Sequence, residues 1–509
     1  MRKIQITAAQ VAVLMAIFTL GSKCVGFVRE MVIANYYGAG FIVDAYSMAQ
    51  SIPTMIFGSL FSAVSTSYMP IFSKKYELEG PDAANYFTSR VINIVGIISI
   101  FCALVGLFGS EQVVRLIADF KDPETIALTS FYLKITSGFI IFNSLVTLLE
   151  AFLQYRGSFV PQIVVGYVQS GVIIAFAVIG AYTSYYYLAF GILIGCMIRT
   201  IGIAFLAARK GLRYHFDWEL GDATKEIVVL ALPVFFGGSI NQINAFVDRM
   251  LASGLQDGSL SALNYSNLIV QTIYGLTITI MVTIIYPKMT QANALKDYER
   301  LGSIVERGIN LTVLIALPCT LGAMVYSDEI IQIVYERGAF DQAATALTAP
   351  AFFYYSIGLV FICLNALLVK VYYSLGNPKT PVLCGLFGML VNVGLNLLLV
   401  RVMAHAGLAL ATSVAAGVNA VSLYSFMRRK YPQIRLIRST KRLWLTALIS
   451  ILSVAASYGV YRFLLHSFDW PLLVLLGAAV LVAGIVYLVL LYAARFEELQ
   501  LIKDVFKRG

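Results

Sequence analysis

The first long apolar stretch of this sequence carries Lys23, Arg29 and Glu30 around the run Gly21-Ser22-Lys23-Cys24-Val25-Gly26, and Asp44 opens the second stretch. A charge at the centre of a bilayer costs about 2.5–3.5 kcal/mol on insertion scales, so each such group must face a cavity, find a partner or lie near an interface. Lys23 and Arg29 stand about 120° apart around a helix that turns about 100° per residue, so both can border one wide cavity. A broken, cationic first helix of this kind suits an anionic substrate. The structural alternative is that Arg29 pairs with Glu30 or Asp44, or snorkels to the outer surface. Arg90, Lys134, Glu150, Arg199 and Lys370 are further charges within apolar segments, several of them near a helix end.

A second chemistry is that of oxygen ligands. Asn241, Asn244 and Asp248 fall at i, i+3 and i+7, one face of a helix, with Gln242 beside them. Asn392 and Asn396 form an i, i+4 pair, with Thr412 beyond. Such groups can hold a monovalent cation, or they can bond helices to one another within the membrane at about 1 kcal/mol each.

The elements that must position these residues follow from composition. Of 509 residues, 59% are hydrophobic and only 13% are charged, and the mean hydropathy is +0.81. That is about half the charge of a soluble domain. Segment after segment is long enough to span a bilayer as a helix, about 20 residues, and none shows the alternation of a membrane β-strand. The spans read as 8–34, 42–70, 85–109, 125–153, 161–182 and 186–208, then 226–252, 260–286, 303–326, 343–374, 380–401, 407–427, 443–465 and 469–494. The chain is therefore expected to be an all-α polytopic membrane protein of about fourteen helices. Met1-Arg2-Lys3 leads into the first apolar stretch without a small-residue cleavage site, so that helix is expected to be retained.

Lys and Arg concentrate in alternate turns, including Lys74, Lys75, Arg156, Arg209, Lys210, Arg213, Lys288, Lys379, the cluster from Arg428 to Arg442, and Lys503, Lys507 and Arg508. The cytoplasmic side retains positive charge, which puts both termini in the cytoplasm of a multi-pass inner-membrane protein. The net charge of +10 is a topology signal and calls for no nucleic-acid partner. The cysteines are scattered singly, with no Cys-x-x-Cys pair, and no Gly-rich Lys-Ser/Thr loop is available to cradle ATP. Neither a metal site nor a cofactor is expected, nor an enzyme.

An internal repeat relates the halves. Phe27-Val28 and Met31 match Phe246-Val247 and Met250, and Tyr46-Ser47 matches Tyr265-Ser266, both at an offset of 219 (246−27 and 265−46). Gly157 and Pro161 correspond to Gly376 and Pro381 in nearly the same register. Six helices separate equivalent points, so the lobes share one orientation, a parallel repeat. The expected domains are 1–210, 211–430 and 431–509: two six-helix lobes, then two helices without a counterpart. Transporters built from such repeats bind substrate at the midplane and rock one half against the other.

Three stretches carry a resemblance: Gly26-Phe27-Val28-Arg29-Glu30 running to Tyr37-Gly38-Ala39 and Asp44-Ala45; Glu336-Arg337-Gly338-Ala339-Phe340; and Gly407-Leu408-Ala409-Leu410-Ala411-Thr412-Ser413. They resemble the MurJ (MviN) family, as do Tyr355, Gly358-Leu359, Tyr372-Tyr373 and the turn Asn377-Pro378-Lys379-Thr380-Pro381. The likeness runs from the first helix to the twelfth. It implies a flippase of the multidrug/oligosaccharidyl-lipid/polysaccharide exporter superfamily that moves lipid II, the undecaprenyl-pyrophosphate-linked peptidoglycan precursor, by alternating access. It also implies a groove at helices thirteen and fourteen for the polyprenyl tail. Lys23 and Arg29 take the places of two first-helix arginines and Asp44 that of an aspartate. With Glu30 they form the expected substrate-binding set, the cations meeting the pyrophosphate.

The sequence departs from the family pattern after Pro53, where Thr54-Met55-Ile56-Phe57-Gly58 replaces a stretch with two arginines, and at Ser266-Asn267-Leu268, where another arginine is lost. Some members bind sodium between helices seven, eleven and twelve. Asn392, Asn396 and Thr412 line up with that site, although an acid is missing at Asn396, so coupling to sodium or to the membrane potential stays open. The expected partners are the undecaprenyl-linked glycan lipid and membrane lipids, and the protein is expected to be a monomer. Two alternatives remain: a flippase for another lipid-linked oligosaccharide, and a multidrug or cation antiporter, which would want buried carboxylates. Glu336-Arg337-Gly338 is expected to be a loop-capping pair.

Overall fold

A computed structural model of the chain describes residues 8–216, 222–434 and 440–496. Met1-Arg2-Lys3, Lys503, Lys507, Arg508 and part of the basic run from Arg428 to Arg442 lie outside them. The described residues form helices α1 (Ala8–Tyr37), α2 (Phe41–Leu78), α3 (Pro81–Phe108), α4 (Ser110–Ile117), α5 (Pro123–Tyr155), α6 (Val160–Tyr182) and α7 (Tyr187–Arg209). Then follow α8 (Asp222–Ser253), α9 (Ser259–Ala294), α10 (Tyr298–Val325), α11 (Ser327–Tyr335), α12 (Gln342–Ser374), α13 (Lys379–Lys430), α14 (Thr440–Ser467) and α15 (Leu472–Ala493). Apart from one isolated bridge between Arg337 and Phe340, the described residues contain no strand pairing. The all-α polytopic expectation holds: ten of these helices are long and apolar enough to cross a membrane. Chain contacts divide the protein into two units, one running to Ser261 with Arg337–Asp341 added, the other Ala262–Glu336 with the residues from Gln342 onward.

Helix starts are written in the sequence. Asp122 accepts from the Thr125 N–H at 2.9 Å ahead of Pro123, and Asp297 does the same for Arg300 at 2.9 Å, each satisfying an amide the helix cannot. Helix ends reveal the repeat. After α5, Gly157 N–H donates to Gln154 O and Ser158 N–H to Leu153 O; after α12, Gly376 N–H donates to Tyr373 O and Asn377 N–H to Tyr372 O. The glycine φ angles are 68° and 69°. The same backbone turn thus recurs with every donor and acceptor 219 residues on (376−157, 377−158).

Three differences from the expected spans have physical causes. The first helix is not broken: α1 is continuous through Gly21 and Gly26, since an isolated glycine weakens a helix by about 1 kcal/mol without interrupting its hydrogen bonds. The second runs on to Leu78 because its last, polar turns remain helical, aided by Lys75–Glu79 at 3.0 Å. The expected eleventh and twelfth spans stand as two helices within α13, which meet at a non-helical break at Ala404 (φ 48°, ψ −132°), and there His405 Nε2 meets Leu347 O at 2.7 Å. Two short helices, α4 and α11, follow α3 and α10 and are too brief to register as spans.

In the first unit, Tyr68, Phe72, Phe87 and Phe152 form a buried aromatic cluster joining α2, α3 and α5. In lipid, helices associate by close packing and hydrogen bonds, so small residues matter. Gly191 and Gly195 let α7 approach α6 closely: a Cβ on Gly195 would lie 3.1 Å from Gln169 O, and one on Gly191 2.8 Å from Phe176 Cβ. α8 runs antiparallel to α2, for as numbers rise along α2 partners fall: Asp44 with Gly258, Ser51 with Arg249, Ser59 with Ser239. In the second unit, Tyr372, Met427 and Met289 centre the core, and Tyr372 OH donates to Leu423 O at 2.8 Å.

Candidate functional site

Thr19, Ser22, Lys23, Gly26 and Arg29 recur at three- and four-residue intervals, which places them on one face of α1. That face borders a cavity of about 630 Å³ within the first unit. Tyrosine hydroxyls fix α1 against α6 at two points: Tyr167 donates to Phe18 O at 2.5 Å and Tyr37 to Ala177 O at 2.8 Å. Apart from Phe159, Ile163 and Gly166, the rest of the lining is polar. Glu150 and Gln154 come from α5 at i, i+4, Gln162 and Gln169 from α6 at i, i+7, and Arg199 from α7. The close α6–α7 packing at Gly195 sets Arg199, one turn on, beside Gln169.

The charges are arranged unequally. Arg29 donates to its neighbour Glu30 at 2.6 Å, and both side chains are about three-quarters buried. Arg199 donates to Glu150 at 2.6 Å and to Gln169 at 3.0 Å, while its Nε is buried without a hydrogen-bond partner. Lys23 is exposed to the cavity. The lining thus has three cations and one carboxylate, and counting Glu30 it stays cationic. Such a chamber can hold an anion through charge-assisted bonds while its glutamines and serines serve sugar or peptide groups.

Asp44 does not line this cavity. It is 3% exposed, and its two oxygens accept from Gly258 N–H and Ser261 N–H, each at 2.7 Å, at the start of α9. A carboxylate there satisfies amides the helix leaves open and opposes the positive end of its dipole. Arg29 therefore pairs with Glu30, not with Asp44.

The polar stripes lie elsewhere. Asn244 and Asp248 are half-buried on α8 and do not line the cavity, and the side chain of Asn241 lies outside the described residues. Beside them a smaller cavity of about 370 Å³, lined by Met55, Ser59, Phe235, Ser239, Gln242 and Phe246, is mostly apolar. In the second unit Asn396 Nδ2 donates to Asn392 Oδ1 at 2.8 Å, and Asn392 Nδ2 to Thr412 Oγ1 at 3.3 Å, a chain that crosses the break at Ala404. Lys370 sits over the rings of Tyr286 and Tyr373, at 5.5 and 5.8 Å.

Arg249, a charge not among those singled out from the sequence, donates to Ser51 on α2. Its signal was present, since a charge inside an apolar segment is itself a reason to look. Gln162 and Gln169 were not singled out either, although their seven-residue spacing in an otherwise apolar helix marks one face.

Comparison with known proteins agrees with this architecture. The family model described as "Lipid II flippase MurJ" matches residues 33–483. A probable lipid II flippase MurJ of Rickettsia prowazekii is 28% identical over 426 residues, covering 82% of this chain and 83% of that one. A lipid II flippase MurJ of Burkholderia cenocepacia is 26% identical over 470 residues, covering 89% of each. Among solved structures, a lipid II flippase MurJ in an inward closed conformation superposes with a TM-score of 0.80 at 24% identity, covering 94% of this chain and 98% of that one. An inward-facing multidrug resistance MATE transporter of the MOP superfamily gives 0.68 at 14% identity, covering 85% and 100%.

Proposed function

The chain belongs to the lipid II flippase MurJ family, and from that premise we propose that it carries lipid II across the cytoplasmic membrane by alternating access, without chemical change. The observation that carries the mechanism is the cavity in which Lys23 and Arg29 share one face of α1. A pyrophosphate entering it replaces water with charge-assisted hydrogen bonds, each contributing about 1.5–3 kcal/mol. The sugar and peptide then have Gln154, Gln162 and Gln169 for hydrogen bonding. A cation antiporter wants the opposite sign of cavity charge, since the one carboxylate in the lining is tied to Arg199.

In this reading both termini face the cytoplasm, as the distribution of Lys and Arg favours. Fourteen crossings are reached when α1, α8 and α9 are added to the ten apolar helices and α13 is counted twice. Residues 1–210, 211–430 and 431–509 act as two repeat-related lobes and a C-terminal pair, in a monomer coupled to sodium or to the membrane potential. Glu30 tempers Arg29 in the empty state, and Asp44 supports the site by holding the start of α9.

The test is depletion of the protein in its host, followed by an assay of which leaflet holds labelled lipid II. Accumulation in the inner leaflet with lysis is the expected result. Unchanged lipid II with loss of a surface polysaccharide would instead assign another lipid-linked glycan.

A further inference from the structure

We propose that Arg199 is a third phosphate ligand of the cavity, held in reserve by Glu150 and Gln169 and transferred to the pyrophosphate when substrate enters. The inference rests on the lipid-flippase reading above and names a residue which that reading does not need.

Its basis is an imbalance in one guanidinium. Arginine has five N–H donors in a rigid planar fork. In Arg199 one arm is given to Glu150 at 2.6 Å and another to Gln169 at 3.0 Å, yet the buried Nε has no hydrogen-bond partner. A buried unmet donor is costly, and more so on a charged group. Such a donor calls for a partner, and a ligand in the cavity that Arg199 lines could supply one. Arg199 lines the same cavity as Lys23 and Arg29 but comes from a different helix, α7, so an anion held by all three would be gripped from two directions. The stretches Thr54–Gly58 and Ser266–Leu268 supply no cation of their own.

Electrostatics gives the exchange its direction. Glu150 offers Arg199 one negative charge, whereas a pyrophosphate diester offers about two, and its oxygens match the two-pronged fork as well as a carboxylate does. Attraction scales with the product of charges, so the substrate out-competes Glu150 once Lys23 and Arg29 have brought it near. Glu150 is then a competitor that keeps the empty cavity from trapping small anions.

This mechanism predicts effects of opposite sign from the two halves of one ion pair. With purified protein in detergent and geranyl pyrophosphate as the probe in titration calorimetry, Arg199→Gln should weaken binding about tenfold, the scale of one lost charge-assisted contact. Arg199→Lys, which keeps the charge and loses the fork, should fall between it and the unmodified protein. Glu150→Gln, which removes the competitor, should tighten binding several-fold. Monodispersity and thermal midpoint are recorded for each variant, because a purely structural bridge lowers the midpoint in both and moves affinity in one direction. If Arg199→Gln and Glu150→Gln weaken binding alike, or if Arg199→Gln binds as the unmodified protein while Arg29→Ala binds poorly, Arg199 is not a ligand and the flippase reading stands. If Arg29→Ala also binds normally, the cationic-cavity reading fails with it.

Discussion

Ala339 donates its backbone N–H to the carbonyl of Asn35 at 2.8 Å, so the loop Arg337–Asp341 is fastened to the last turn of α1. Two glycines make this approach possible. Gly38, at φ 67°, ends α1 by donating to Ala34 O at 2.8 Å, and a Cβ there would lie 2.5 Å from Ala339 O. Gly338, at φ 59°, sits so near Asn35 O that a Cβ would overlap it. Glu336 meanwhile accepts from Thr345 Oγ1 at 2.6 Å, at the start of α12. Within the Glu-Arg-Gly motif, Gly338 admits the backbone contact to α1 in the first unit, and Glu336 serves the start of α12 in the second.

Gly338→Ala should accordingly lower stability by about 1–3 kcal/mol, the range for a residue forced into a strained backbone region. The check is the thermal midpoint in detergent, beside Gly322→Ala, where nothing stands within 4 Å of the added carbon. A midpoint equal to that of the control would mean that the close approach of Gly338 to Asn35 does not hold the loop on α1.

Asp44→Asn separates support from substrate contact. The amide keeps one acceptor for two backbone donors and turns its own N–H₂ toward one of them, which should destabilise the protein by about 1–3 kcal/mol. Melting curves should shift while probe affinity per folded molecule is kept. An unchanged midpoint with lost affinity would restore Asp44 to the substrate set.

Asn392→Leu tests the amide chain across the break in α13. If the chain bonds helix to helix, the loss is about 1 kcal/mol and is the same in sodium chloride and in choline chloride. A loss seen only in sodium would assign Asn392, Asn396 and Thr412 to an ion site.

Much of this fold is legible because a span's length and apolarity are imposed by the bilayer itself. The expected 161–182 and 186–208 lie within a residue of α6 and α7. What is lost is helix that continues into polar sequence, such as the end of α2, and short helices such as α4, where only Ser110, Val114 and Ile117 are buried. The site is legible in a different way. Lys23 and Arg29 announce themselves by cost, because a charge in an apolar segment needs a reason. Which partner each charge takes is set by tertiary approach, and nothing local says that Asp44 meets Ser261, 217 residues away. Arg249 likewise shows its charge in the sequence but not its partner, since Ser51 is 198 residues distant.

The most direct measurement is the outer-leaflet fraction of labelled lipid II in cells whose only copy of this protein carries Arg29→Ala. Insertion is monitored in parallel by membrane abundance. The account predicts normal abundance and an outer-leaflet fraction reduced to that of depleted cells, because the pair of α1 cations that meets the pyrophosphate is broken. Wild-type translocation by that variant, at wild-type abundance, would contradict it.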